Sequence, residues 1–339
     1  MSSTTPRLTI VIPTVNRASL VPRAIDSALA QTYPNLEIIV SNNGSTDGTR
    51  ETLDRYEGAP RLRIFHREKT IPANPHGNFL LDQSRGEFFL GLSDDDWLEP
   101  TLAEKVIELY DRHPEVSFVW TGCFMHYGDV AMPAGTGPEI ESNADFLVGF
   151  LANRRNICWC ATVTRTRDLR RIGPIPTDVI CGDMFYWTKI AAFGPVGCVA
   201  EPLSHYVCYR DGGDGIAGGA RVLPWAREMK TWATDMAVLL GQLDSNALED
   251  ATRRRLVARF ISRTTANQFL WNALRGIPRI SLARDLSRAL RFVPPSDPSP
   301  WIRIVASLTA PRSVLRQRII AEARRRSRAA RSSEPGPSP

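Results

Sequence analysis

The chain has 339 residues, of which 43% are hydrophobic and 23% charged, values of a globular protein that exclude wholesale disorder and a fibrous repeat. No run of about 20 apolar residues is present to span a bilayer, and Met1 to Leu8 lacks the apolar centre of a secretory leader, so a cytosolic protein is expected. The formal net charge of +6 hides an asymmetry: from Ala251 onward there are 19 arginines, no lysine and only Asp285, Asp297, Glu322 and Glu334 as acids, so the front of the chain is acidic.

In chain order, short apolar runs alternate with amphipathic stretches. Leu8–Ile12, Leu36–Val40, Leu62–Phe65, Glu87–Leu90 and Val116–Trp120 are β-branched or aromatic and bounded by turn residues, as strands buried on both faces should be. Between the first two, Val21, Ile25, Ala28 and Leu29 recur at helical spacing. Between the last two, Leu102, Val106, Leu109 and Tyr110 do the same. Strand, helix, strand in this order predicts a mostly parallel sheet flanked by helices, with the ligand beyond the carboxyl ends of its strands.

From about Asp145 to Gly215 the pattern predicts a strand at Cys158–Val163, with the sulfurs of Cys158 and Cys160 on one face, and a helix over Asp178–Phe193. The glycine-rich stretch Asp211–Gly219 closes this region. Helices follow, with Leu256, Phe260, Thr264, Trp271 and Leu274 on one face and Leu282, Leu286 and Leu290 on another. Pro294-Pro295 interrupts before an amphipathic segment, Trp301–Ile320. The expected organisation is a catalytic domain over residues 1–220, a helical arginine-rich region over 221–331 and a disordered tail over 332–339. The six cysteines lack zinc-site spacing and read as reduced, mostly buried thiols.

Three strand exits are polar and turn-rich: Pro13-Thr14-Val15-Asn16-Arg17, Ser41-Asn42-Asn43-Gly44-Ser45-Thr46-Asp47-Gly48-Thr49, and Ser93-Asp94-Asp95-Asp96. Three adjacent carboxylates repel one another, a cost commonly offset by a hard divalent cation. The plainer alternative is an acidic turn capping the helix after Pro100. The second exit also reads as a turn followed by a helix cap. His66, Arg67 and Lys69 could reach phosphates, though charges at a strand exit are more often solvated. Trp97, Tyr186 and Trp187 could form a platform for a sugar, though aromatic residues there are more commonly core. None of the five histidines is selected as a functional residue.

Taken together, IVIPTVNR (Ile10–Arg17), SALAQTYPNLEIIVSNNGSTDGT (Ser27–Thr49), SRGEFFLGLSDDDWLEP (Ser84–Pro100), CGDMFYWTKIAAFGPV (Cys181–Val196) and EPLSHYVCYR (Glu201–Arg210) resemble glycosyltransferase family 2. The resemblance covers about Leu8 to Arg210. It implies a GT-A fold, a Rossmann-like α/β architecture here followed by a helical extension. It also implies an inverting enzyme that moves a sugar from a nucleotide donor to a hydroxyl of a saccharide or lipid-linked acceptor, with Mg²⁺ or Mn²⁺, and cell-envelope or exopolysaccharide synthesis as the expected setting. Residue by residue, it places Pro13, Val15 and Asn42 around the nucleotide, Asp94 on the ribose, Asp95 on the metal and Asp183 as catalytic base. Asp96 is the lesser metal candidate and Asp178 competes with Asp183.

The sequence departs from the family pattern at four positions. Asn42 stands where many relatives have an acidic residue, Val15 where some have an aromatic one, Tyr209 near a frequent histidine, and Gly182 where glutamate is common. UDP- and dTDP-sugars are the expected donors. A nucleotidyltransferase and a non-catalytic nucleotide-sugar or polysaccharide binding protein remain the alternatives. For the arginine-rich rear, Trp301, Ile302, Ile304, Val305 and Leu308 beside Arg303, Arg312, Arg316 and Arg318 suit either a helix lying on an anionic membrane or a cap with solvated arginines. Nucleic acid is not expected, because no recognised reading module accompanies the charge.

Overall fold

The structure is a computed structural model that describes residues 6–155, 157–209, 222–243, 249–289 and 298–332. The chain divides into two compact units. The first comprises Met1–Met125, Pro133–Asn143 and Asn156–Val207; the second comprises His126–Met132, Ala144–Arg155 and Cys208–Pro339.

The first unit is built on a mixed, mostly parallel sheet. Its strands are β1 (Leu8–Thr14), β2 (Leu36–Asn42), β3 (Leu62–His66), β4 (Phe88–Gly91), β5 (Trp97–Leu98), β6 (Phe118–Tyr127), β8 (Ile140–Glu141), β9 (Thr162–Arg165) and β10 (Val196–Tyr209), with β7 (Val130–Ala134) following β6 in sequence. The strand order is β3-β2-β1-β4-β9-β6-β10-β5. β2 and β4 flank β1 in parallel, and β3 runs parallel to β2. The helices are α1 (Val21–Leu29), α2 (Thr49–Asp54), α3 (Ala73–Gln83), α4 (Leu102–Arg112), α5 (Asn143–Leu151), α6 (Thr166–Ile172) and α7 (Gly182–Ile190). α5 contributes mainly to the second unit.

Burial explains the apolar runs. Every residue of β2 is buried, and Ile10, Ile12, Ile38, Val40, Phe88 and Leu90 join the core stripe of α1 (Val21, Ala24, Ile25, Ala28) and that of α4 (Leu102, Val106, Leu109, Tyr110) in one cluster. The register sets Thr14 beside Asn42, and Asn42 beside His66, so three strand exits open at the same edge.

Two expectations for the middle of the chain are corrected. Trp159–Ala161 forms a 3₁₀ turn, and the strand begins only at Thr162, antiparallel to both β4 and β6. Cys158, Trp159 and Cys160 therefore do not alternate as a strand. The Trp159 indole lies over Gly91, where a Cβ would fall 2.0 Å from its Nε1, and it meets Phe89 edge-on at 6.4 Å. The segment expected to be helical from Asp178 starts at Gly182. Before it, the chain makes a turn in which the Val179 N–H donates to the Pro176 carbonyl, held by Asn74, which donates to the carbonyls of Pro176 and Val179, and by Asn78, which exchanges hydrogen bonds with the Ile175 backbone. None of the six cysteines is in a disulfide, and five of them are buried.

The second unit is helical, with α8 (Val222–Leu243), α9 (Asp250–Leu274), α10 (Arg279–Ala289), α11 (Pro298–Thr309) and α12 (Arg312–Ser332). Its core joins Val222, Phe269, Leu274, Leu282, Ile304 and Leu315. The Asp211–Gly219 stretch, the Pro294-Pro295 break and the tail from residue 333 lie outside the described residues.

Replacing Gly91 by Ala drives a methyl into the Trp159 ring, an overpacking that costs about 1–3 kcal/mol. Urea unfolding should show a lower midpoint; an unchanged midpoint would place the indole elsewhere.

Candidate active site

The crevice at the carboxyl edge is assembled by short polar bonds between exits. After β1 the chain turns through Asn16, which holds a left-handed φ of 54°. The Asn16 N–H donates to Ser45 Oγ at 2.8 Å, and its Oδ1 accepts the Thr46 N–H at 2.8 Å. The Arg17 N–H donates to Thr49 Oγ1, and Asp47 accepts from the N–H groups of Thr49 and Ala18. The second exit thus forms a turn leading into α2, as its composition implied, while also locking onto the first. Asn43 anchors the approach to α3 by exchanging hydrogen bonds with the Ile71 backbone at 2.8 and 3.0 Å.

The third exit is tied in by Thr14, whose hydroxyl donates to Asp94 Oδ2 at 2.7 Å, with Arg17 Nε 3.8 Å from Oδ1. Burial pushes the Asp94 carboxyl up to about 6; the Thr14 bond opposes the rise and the neighbouring Asp95 adds to it. Asp96 turns inward to β10, where Oδ1 accepts the Val207 N–H at 2.8 Å, while Oδ2 is buried without a hydrogen-bond partner. Burial, reinforced by Asp95, raises its carboxyl to about 7. The triplet does not cap the following helix: the N-cap of α4 is Thr101, without a side-chain cap bond.

Asp95 stands between these two. Its carboxylate is half-buried and makes no hydrogen bond or ion pair among the described residues, whereas its carbonyl accepts from Arg23 Nη2 at 2.8 Å. Arg23 lies over the Trp97 ring at 3.6 Å, Trp97 stacks on His205 at 4.4 Å, and His205 stacks on Phe124 at 4.9 Å and hydrogen-bonds Glu99 at 2.7 Å. Both faces of Trp97 are covered, so it is no open platform for a sugar. Tyr186 and Trp187 are buried core residues.

The remaining expected residues fall as follows. Pro13 is half-buried at the end of β1, and Val15 is 37% exposed. Asn42 is buried, its Oδ1 accepting the Ser45 N–H at 3.1 Å and its Nδ2 lying 3.4 Å from His66 Nδ1. Asp183 is half-buried in the first turn of α7, with Oδ1 accepting the Met184 N–H at 2.8 Å. Asp178 is exposed in the preceding loop. A Cβ on Gly182 would meet Ile175 at 3.0 Å and Asn74 at 3.3 Å, so the loop leaves little room for the glutamate common at this position. Because that loop is bound to the start of α3, and the approach to α3 to Asn43, Asp183 stands at the same edge as the strand exits. The Tyr209 side chain lies outside the described residues.

Among the described residues no group of three or more His, Cys, Asp or Glu could hold a metal ion. The exit of β4 nevertheless fits a cation bound through few protein ligands: the Asp95 carboxylate is unengaged and Asp94 precedes it, while Asp96 is turned inward to β10. A hard divalent ion there would draw its other oxygens from phosphates and water.

Comparison with known proteins decides what the crevice belongs to. The sequence profile described as Glycosyl transferase family 2 matches residues 9–166. The chain carries a glycosyltransferase family 2 domain. It is 25% identical over 239 residues, 68% of this chain and 88% of the relative, to the putative teichuronic acid biosynthesis glycosyltransferase TuaG of Bacillus subtilis. Relatives of higher identity, 33–36% over 107–117 residues, are much longer, and the match spans 12–18% of their length. Among solved structures, S. aureus TarS 1–349 in complex with UDP-GlcNAc superposes with a TM-score of 0.58 at 15% identity, covering 93% of this chain and 92% of that one. Mannosyltransferase PcManGT from Pyrobaculum calidifontis, in complex with GDP-Man and Mn²⁺, gives 0.55 at 20% identity, covering 90% and 86%. The fold of this family 2 domain is GT-A.

Sequence reading missed Thr14 as the partner of Asp94 and Arg23 as the partner of Asp95. Thr14 lay within the first exit, but Arg23 is an exposed residue of an amphipathic helix whose pattern does not distinguish it.

A folded Asp96 that titrates near 7, against about 4 unfolded, keeps a proton that the unfolded chain releases. Its contribution to stability is full below pH 4 and is lost as pH rises to 7. In divalent-free buffer, Asp96→Asn should gain on the wild type by about 2–4 kcal/mol between those limits. Parallel thermal midpoints across that range would contradict the burial of Asp96 as a carboxylic acid.

Proposed function

We propose that the chain is a metal-dependent, inverting glycosyltransferase that takes a sugar from a UDP- or dTDP-sugar to a hydroxyl of a saccharide or lipid-linked acceptor in cell-envelope or exopolysaccharide synthesis. The observation that carries this reading is the convergence of three strand exits, with Asp94 held by Thr14 and Asp95 left unengaged beside it. The UDP-GlcNAc bound by TarS, the Mn²⁺ bound by PcManGT and the biosynthetic assignment of TuaG support it. The transferase domain is taken to extend over residues 1–220, the helical region over 221–331.

In this reading Pro13 and Val15 present an apolar surface to the base. The Asn42 side-chain oxygen, which accepts one N–H from Ser45, has a second lone pair for the imide of uracil or thymine. Asp94 accepts from the ribose. Asp95 would hold Mg²⁺ or Mn²⁺, which would supply positive charge against the departing diphosphate. Asp183 takes the proton of the acceptor hydroxyl as that oxygen bonds the anomeric carbon; the opposite bond breaks and its electron pair leaves with the nucleoside diphosphate. Attack from the opposite face inverts the centre, and no covalent enzyme intermediate forms.

No helix among the described residues is long and apolar enough to cross a membrane. In α11, Ile304 is buried and Trp301 and Leu308 pack against the same core, whereas Ile302 and Val305 are 67% and 53% exposed. One face of this helix is core, and the other is taken to rest on an anionic cytoplasmic membrane surface beside the arginines of α10–α12. Ile302→Asp with Val305→Asp should release the chain from anionic vesicles in co-sedimentation. Unchanged sedimentation would leave only the cap reading.

Asp183→Asn should lower turnover by about 10²–10⁴-fold with UDP-sugar affinity unchanged, whereas Asp95→Asn should abolish the Mn²⁺ dependence of nucleotide binding in calorimetry. Full activity in the first variant would remove Asp183 from the chemistry. Release of pyrophosphate in place of nucleoside diphosphate would make the protein a nucleotidyltransferase.

A further inference from the structure

The opposite, amino edge of the same sheet holds a cavity of about 240 Å³ lined by Arg85, Arg165, Arg167 and Arg170, with Glu87 as its one acidic lining residue. It lies where β4 begins and β9 ends, Phe88 pairing with Arg165 across the two strands. At about 3.3 Å per strand residue, the seven positions from Glu87 to Asp94 put it on the order of 20 Å from the crevice.

The four guanidinium groups divide into two kinds. Arg165 is fixed: its side chain is 8% exposed, and it pairs with Glu87 at 3.3 Å and donates to the Pro114 carbonyl at 2.7 Å. Arg170 is fixed as well, donating to the carbonyls of Ser84 and Leu81 at 2.7 and 3.3 Å. Arg85 and Arg167 are not. The Arg85 side chain makes no hydrogen bond or ion pair among the described residues, and Arg167, 78% exposed, has only Asp168 at 3.8 Å. Glu87 is shared between Arg7 and Arg165, each at 3.3 Å, so it offsets Arg165 and leaves Arg85, Arg167 and Arg170 without an acidic partner among the lining residues. The cavity therefore presents two anchored cations in its wall and two unanchored ones that can reach an occupant.

We propose that this cavity is a second ligand site, for a phosphate group carried by a molecule other than the bound donor. Planar guanidinium forks match phosphate oxygens in pairs, which a lysine cluster would not do. The separation from Asp94 puts the site out of reach of the donor's own diphosphate. The occupant is a free phosphate ester or a distant phosphate of a long anionic acceptor. The inference rests on the cavity alone and stands whether or not the crevice transfers a sugar.

Thermal shift and calorimetry on the full chain test it, with UDP at saturation to fill the crevice and chloride adjusted to constant ionic strength. Inorganic phosphate should raise the melting temperature. The variant Arg85→Gln/Arg167→Gln should weaken phosphate binding at least fivefold and leave UDP affinity within twofold. Arg85→Lys/Arg167→Lys should fall between the two. Methyl phosphate binding better than dimethyl phosphate identifies a monoester occupant, and equal binding a polymer diester. An equal phosphate response in wild type and the double Gln variant, a wild-type response no larger than that to chloride, or binding of galacturonate in preference to any phosphate overturns the proposal.

Discussion

The hydrogen bond from Thr14 to Asp94 is the constraint on which the crevice depends. Placing a carboxylate in a pocket that raises its proton affinity is unfavourable unless donors face it. Thr14 supplies one because β1 lies between β2 and β4, so its last residue borders both other exits. Asn16 and Asp47 then bind the first two exits to each other, and Asn43 brings in the approach to α3. The position of α7, and with it Asp183, follows from α3 through Asn74 and Asn78. One sheet edge thus carries the residues proposed for donor, metal and base, linked by a chain of hydrogen bonds between segments distant in sequence.

Much of this architecture is legible in the sequence because its determinants are local. Four of the five apolar runs became strands buried on both faces or nearly so, and a buried parallel strand needs no alternation to be recognised, whereas the third, Leu62–His66, is a half-buried edge strand. The stripes of α1 and α4 are visible for the same reason. The polar exits identify the edge where a ligand belongs. What escapes is whatever depends on distant pairing. β9 is inserted antiparallel between β4 and β6, and the residues before it are bent into a 3₁₀ turn by an indole that needs the bare backbone of Gly91. No pattern around Cys158 records a glycine 67 positions earlier. The late start of α7 likewise depends on two asparagines about a hundred residues upstream. In α11 the amphipathic pattern was visible, but only packing shows that its apolar residues divide between core and solvent.

Charge is distributed over the first unit with a polarity that follows the strands. Carboxylates gather where β4 ends and arginines where it begins. The same strand therefore separates a region suited to a cation from one suited to an anion, and its few residues keep the two beyond about one Debye length at physiological salt. In the second unit arginine prevails on α10–α12, with Asp285 buried and Glu322 paired to Arg325.

The column of Arg23, Trp97, His205 and Phe124 has a further consequence for the acidic turn it borders. With the Asp95 carbonyl grasped from α1, and the indole next door clamped between a guanidinium and an imidazole, this backbone is organised when the chain folds. Little conformational freedom is then left to surrender, and a ligand held at Asp94 and Asp95 as proposed would be spared that entropic penalty.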